Sequence, residues 1–183
     1  MKIFCTVCIH LILLFTLLAC DNSTVSSPQI NQEVYVEIPS ITIRSDDTSI
    51  PYISRLVDTS DNLHGRSGVF KKIKTNQSKI PYIQLGEEIQ LKLQHDPPVS
   101  YTLFDDILNE NGTRKYSHLS TQEVIFHFED RIGTFLLTPN AASYLSSDSQ
   151  NYSPGKTIRG FTLVCYWDNQ TVEYFFIVRT DAS

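Results

Sequence analysis

Chemistry in this chain would have to come from a few scattered groups. These are the adjacent carboxylates Asp46-Asp47, Glu87-Glu88, Asp105-Asp106 and Glu129-Asp130, the histidines His64, His95, His118 and His127, and the thiol of Cys165. Neighbours in an extended strand point to opposite faces, so adjacent carboxylates do not make an acid–base pair by adjacency. Glycoside hydrolysis could use two carboxylates distant in sequence, but the sequence alone does not pair them. The histidines stand singly, with no His-x-His and no His-x-x-x-His, so the spacing of a metal site is missing. Asp105 and Asp106 followed by Asn109 and Asn111 invite comparison with a calcium loop, yet the ligand order fails at Ile107. No Gly-x-Ser-x-Gly nucleophile turn is present, and Cys165 sits in an apolar run between Phe161 and Trp167, where burial makes a thiol inert. These residues predict no catalytic centre, no metal and no cofactor.

One run of charge stands out from an acidic background. The net charge is −5, which gives no global preference for nucleic acid. Between Arg66 and Lys79, however, Arg66, Lys71, Lys72, Lys74 and Lys79 occur without a single acid. Two readings stand: contact with anionic headgroups or wall polymers, or lysines placed along a solvated hairpin edge to discourage strand addition.

The amino-terminal residues carry an address. Lys2 provides a positive start and Ile3 to Leu18 an apolar stretch broken only by His10 and two threonines, shorter than the ~20 apolar residues of a spanning helix. The stretch ends in Leu17-Leu18-Ala19-Cys20. This resembles the signal of bacterial lipoproteins, whose cysteine is alkylated by a lipid before the bond ahead of it is cut. An ordinary secretory site prefers Ala-x-Ala, and Leu18 stands where a small residue belongs. The resemblance implies a signal peptide over residues 1–19 and lipid on Cys20. It also implies anchorage in the membrane through that lipid, at the outer face of the cytoplasmic membrane of a bacterium. Cys5 and Cys8 would leave with the leader, so Cys165 would remain alone and no intrachain disulfide could form. Residues 20–32 are polar and without periodicity, a flexible tether whose dozen residues reach about 20 Å.

From residue 33 to 183 the pattern is that of one β domain. Val34, Val36 and Ile38 alternate, and Ile41-Thr42-Ile43 resumes the alternation after Pro39. Arg44 to Lys79 reads as short strands and long loops, with turns at Asp46-Asp47, Asp61-Asn62 and His64-Gly65. The second half is clearer. Ile89, Leu91 and Leu93 alternate before Pro97-Pro98, and Asn109-Glu110-Asn111-Gly112 reads as a hairpin loop. Val124, Phe126 and Phe128 line one face of a further strand, and Gly133–Leu137 makes another. Phe161, Leu163, Cys165 and Trp167 line one strand, which turns at Asp168-Asn169 into Val172–Val178. That last strand is apolar on both faces, so it should be covered by the facing sheet on one side and by a loop on the other. Ala141–Leu145 is long enough for only one turn of helix. Seven to nine punctuated strands predict an all-β, immunoglobulin-like β-sandwich, with a small β-barrel as the alternative.

The hairpin Arg159-Gly160-Phe161-x-Leu163-x-Cys165-x-Trp167, followed by Glu173-Tyr174-x-Phe176 and Arg179-Thr180, resembles the carboxyl-terminal hairpin of a group of uncharacterised lipoproteins of Gram-positive bacteria. The run Pro97-x-Val99-x-Tyr101-x-Leu103 is similar to theirs as well. The resemblance implies a sandwich domain and supplies no catalytic residues. The expected function is a lipid-anchored, non-catalytic interaction or structural domain with a protein or wall-polymer partner and no nucleic acid. The alternatives are a wall-polysaccharide hydrolase using two distant carboxylates, and a sensor or inhibitor module acting on a membrane neighbour.

Overall fold

The computed structural model describes residues 37–57, 66–77 and 79–183, with backbone alone at residues 66 and 67. The expected leader, Cys20, the tether, residues 33–36 of the expected strand at 33–38 and the turns at Asp61-Asn62 and His64-Gly65 lie outside the described residues. Glu37 to Ser40, which are described, form no strand.

Among the described residues ten strands and one α-helix follow. They are β1 (Ile41–Ser45), β2 (Thr48–Ser49), β3 (Tyr52–Leu56), α1 (Arg66–Asn76), β4 (Glu88–Leu93), β5 (Ser100–Leu108), β6 (Gln122–Val124), β7 (His127–Glu129), β8 (Ile132–Leu136), β9 (Thr157–Trp167) and β10 (Gln170–Thr180). They make two five-stranded sheets, β2-β1-β4-β8-β7 and β3-β10-β9-β5-β6, with every strand pairing antiparallel. The order β1-β4-β8-β7 against β10-β9-β5-β6 is the A-B-E-D and G-F-C-C′ arrangement of an immunoglobulin-type sandwich. To it β2 and β3 each add an outer strand. The sheets do not close, so the barrel alternative falls.

Alternation builds the interior. Ile89, Leu91 and Leu93 of β4 point inward from the first sheet, and Phe161, Leu163 and Cys165 of β9 meet them from the second. Phe135 of β8 reaches Phe161 across the gap, with ring centroids 5.6 Å apart. Tyr174 and Phe176 of β10 are fully buried in the same core. Trp167, at the end of β9, is only partly buried against it.

The second sheet is covered on its outer face too, and here the structure corrects the sequence reading. The cover is not a loop but α1, in the segment read as strands and loops. Val69, Phe70 and Ile73 form its buried face and make a second core with Leu108, Ile158, Phe175 and Ile177. An eleven-residue helix is marginal alone; packing on the sheet stabilises it. Gly160 of β9 makes the close approach workable, because a Cβ there would stand 3.0 Å from the Phe70 ring and 2.7 Å from Leu108 Cδ1.

A second correction concerns Val124–Phe128. The alternation runs through two strands rather than one: β6 pairs with β5 in the second sheet and β7 with β8 in the first. The chain crosses between sheets at Ile125, whose side chain is 75% exposed. Ala141–Leu145 is a 3₁₀ turn as expected, with the Asn140 side chain accepting from Ala142 N–H at 2.8 Å.

Candidate functional site

The basic run is organised by α1. Gly68, Lys71, Lys72, Thr75 and Asn76 recur at helical spacing and are exposed, while Val69, Phe70 and Ile73 face the sheet. Lys71 and Lys72 therefore stand on the solvent face of a helix and not on a hairpin edge. Lys74 turns aside, with its Nζ 3.7 Å from Glu110 Oε2. Lys79 lies beyond the helix end and is exposed. Arg66 opens the helix, and its side chain lies outside the described residues. The structure thus brings Lys71 and Lys72 together and separates Lys74 from them.

The helix is held by the loop after β5. Asn109 N–H donates to the Thr113 carbonyl at 2.8 Å, and Lys115 N–H to the Ile107 carbonyl at 2.8 Å, closing the expected hairpin loop. Gly112 adopts φ +79°, and a Cβ there would meet Lys71 Cα and the Phe70 carbonyl at 2.8 Å. Only glycine lets this loop rest against α1. Glu110 accepts from Arg179 at 2.6 Å. The Arg179 guanidinium, helped by Lys74, holds the Glu110 carboxyl below the usual range.

Asp105, Asp106 and Glu173 are committed to the fold. Asp105 and Asp106 take opposite faces of β5, as the strand reading requires. Asp105 binds both the Nε and Nη2 of Arg159 and accepts from Asn140 Nδ2 at 2.6 Å; Arg159 Nη1 donates to the Thr138 carbonyl at 2.6 Å. Asp106 accepts from Arg114 Nε at 3.0 Å and from Thr121 Oγ1 at 2.5 Å. Buried Glu173 pairs with Arg55 Nη2 at 2.7 Å. Burial pushes the Cys165 thiol up to about 12, far from a thiolate nucleophile. His95, His118 and His127 are exposed. Among the described residues no three His, Cys, Asp or Glu side chains converge as metal ligands.

One spacing escaped the sequence reading: Ser153-x-x-Lys156 has the order of a serine nucleophile with a lysine base. The segment is a turn, with Lys156 N–H donating to the Ser153 carbonyl at 3.2 Å. Ser153 is exposed and lies on no helix that would set its hydroxyl against the lysine.

Two polar clefts among the described residues each draw on several separate segments. One, of about 420 Å³, is lined by Asn109, Glu110, Lys115, Asp148, Asn151 and Lys156 among others. The second, of about 470 Å³, lies between Glu37, His95, Asp96, Arg131, Trp167 and Gln170. Neither is legible in the sequence, since the residues come from separate segments.

No protein-family model matches this chain, no curated protein matches it in sequence, and no solved structure matches it.

Proposed function

We propose that this protein is a lipid-anchored, non-catalytic interaction domain at the outer face of the bacterial cytoplasmic membrane, with α1 as its contact with anionic headgroups or wall polymers. The anchor rests on Leu17-Leu18-Ala19-Cys20. The contact rests on one observation: Lys71 and Lys72 occupy the solvent face of a helix whose opposite face is locked to the sandwich by Phe70 and Ile73. Charge carried on a docked helix is presented without a large ordering cost on binding. A wall-polysaccharide hydrolase would ask for a carboxyl raised in pKa to serve as general acid, whereas Glu110 is shifted the other way.

The anchor is tested by Cys20→Ser in cells fed a fatty-acid analogue. The wild type should take up label and fractionate with membranes, and the variant should do neither. Equal membrane partition of the two would overturn the reading.

A further inference from the structure

The second cleft lies at one pole of the sandwich. The β4–β5 loop brings His95 and Asp96, the β7–β8 turn brings Arg131, the β9–β10 turn brings Trp167 and Gln170, and Glu37 arrives just before β1. In an immunoglobulin-type sandwich these are the B–C, D–E and F–G connections, carried together at one end by a rigid pair of sheets. At about 470 Å³ the cleft has the size of a small-molecule site.

We propose that this pole binds a neutral saccharide. Trp167 donates its indole N–H to the Asp96 carbonyl at 3.1 Å, so what it has left to offer a ligand is apolar ring surface, the kind of surface on which the C–H face of a sugar packs. Around it stand planar polar groups suited to vicinal hydroxyls: the carboxylates of Glu37 and Asp96, the Arg131 guanidinium and the Gln170 amide. Arg131 lies 3.6 Å from Asp96, so that pair nearly cancels and the Glu37 carboxylate is the charge left over, which disfavours an anionic sugar. Gln170 adds a specific demand. Its Oε1 is buried with no hydrogen-bond partner, while its Nε2 lies 3.5 Å from the Glu37 carbonyl. Turning the amide over would set oxygen against oxygen; Oε1 has no surface open to the cleft as it stands, and a rotation of the Gln170 amide toward the cleft would let this unpartnered acceptor take a donor such as a sugar hydroxyl.

The site goes beyond the anchored-contact reading and uses none of the α1 lysines, so the two can fail separately. Trp167 is the only tryptophan in the chain, and its fluorescence reports on the cleft. The experiment titrates chitotetraose, cellotetraose and mannotetraose into the purified full-length chain, held in a detergent without a sugar headgroup, at high salt. At least one should give a saturable change in emission. By calorimetry Gln170→Ala and Arg131→Ala should each weaken binding about tenfold, the loss of one hydrogen bond to the ligand, while Lys71→Gln/Lys72→Gln leaves it unchanged. Arg131 is largely exposed, so its variant keeps the fold even if the Gln170 variant does not. Absence of a saturable response to all three sugars up to about 10 mM, or binding that follows the α1 lysines instead of Arg131 and Gln170, would overturn the proposal.

Discussion

Phe70 of α1 and Phe175 of β10 meet edge to face, with ring centroids 5.6 Å apart and planes at 81°. This contact fixes the only helix of three or more turns among the described residues to the outer face of the second sheet. The geometry is the favourable one for two aromatic quadrupoles, and both rings are fully buried.

Removing the Phe70 ring should therefore act like a large-to-small core substitution. Phe70→Ala is expected to cost about 3–5 kcal/mol, and Gly160→Val, which fills the seat of the ring, about 1–3 kcal/mol through overpacking. Urea denaturation followed by circular dichroism measures both. A loss under about 0.5 kcal/mol in each would mean that α1 is not held by this contact.

That helix marks the boundary of what the sequence reveals. β4, β9 and β10 are legible because strict alternation over six to eleven residues has one structural meaning. In α1 only Val69, Phe70 and Ile73 are apolar, among three lysines and after Gly68, so their helical spacing spans little more than one turn and does not stand out. The clue lay elsewhere: Phe175 and Ile177 needed cover opposite the core, and the chain had to provide it. The crossing at Ile125 is hidden for a different reason. Alternation continues through it unbroken, since a residue that leaves one sheet and enters the other keeps the same inward rhythm. The basic run was legible as composition, but its division into an exposed Lys71-Lys72 pair and a Lys74 turned toward Glu110 depends on the helix. The cleft around Trp167 draws one to three residues from each of four segments, a constellation that only the closed fold assembles.

The Asp105–Arg159 pair is the second test of the interior. Both groups are buried and share their bonds with Asn140 and the Thr138 carbonyl. Arg159→Met strands a buried carboxylate and should cost about 3–5 kcal/mol, whereas Arg159→Met with Asp105→Leu removes both charges and should recover most of that loss. Chemical denaturation of the two variants decides it: a double variant no more stable than the single one would show that the surrounding bonds, not the pairing of charge, carry the energy.

Stability should fall on the alkaline side. Burial raises Cys165 from 9.0 to about 12, and burial, with Cys165 and Tyr52 nearby, raises Tyr174 above its ordinary 10.0. A group whose folded pKa lies above its unfolded one contributes stability that is complete below the unfolded value and lost as pH rises toward the folded value. The decline should begin near pH 9 as the unfolded thiol ionises and steepen above pH 10 as the tyrosine joins. Urea midpoints at pH 7, 9, 10 and 11 trace it, and Cys165→Ala should remove the earliest part of the slope. A profile flat through pH 10 would contradict the burial of Cys165, and one flat through pH 11 the burial of both groups.

The last prediction concerns the charged face of α1. Residues 21–183, carrying no acyl chain, should bind anionic vesicles weakly at low salt and release them as the Debye length falls from about 10 Å at 0.1 M to about 3 Å at 1 M. Each lysine close to such a surface contributes about 1 kcal/mol, so Lys71→Gln/Lys72→Gln should weaken binding by about tenfold or more. Both side chains are exposed, so the melting temperature should not move. Lys74→Gln should weaken binding less, because that side chain is turned toward Glu110. Sedimentation with vesicles of matched neutral and anionic composition measures all three. If the wild type fails to bind anionic vesicles or wall polymer even at low salt, or if Lys74→Gln matters as much as the loss of Lys71 and Lys72, the solvent face of α1 is not the contact surface.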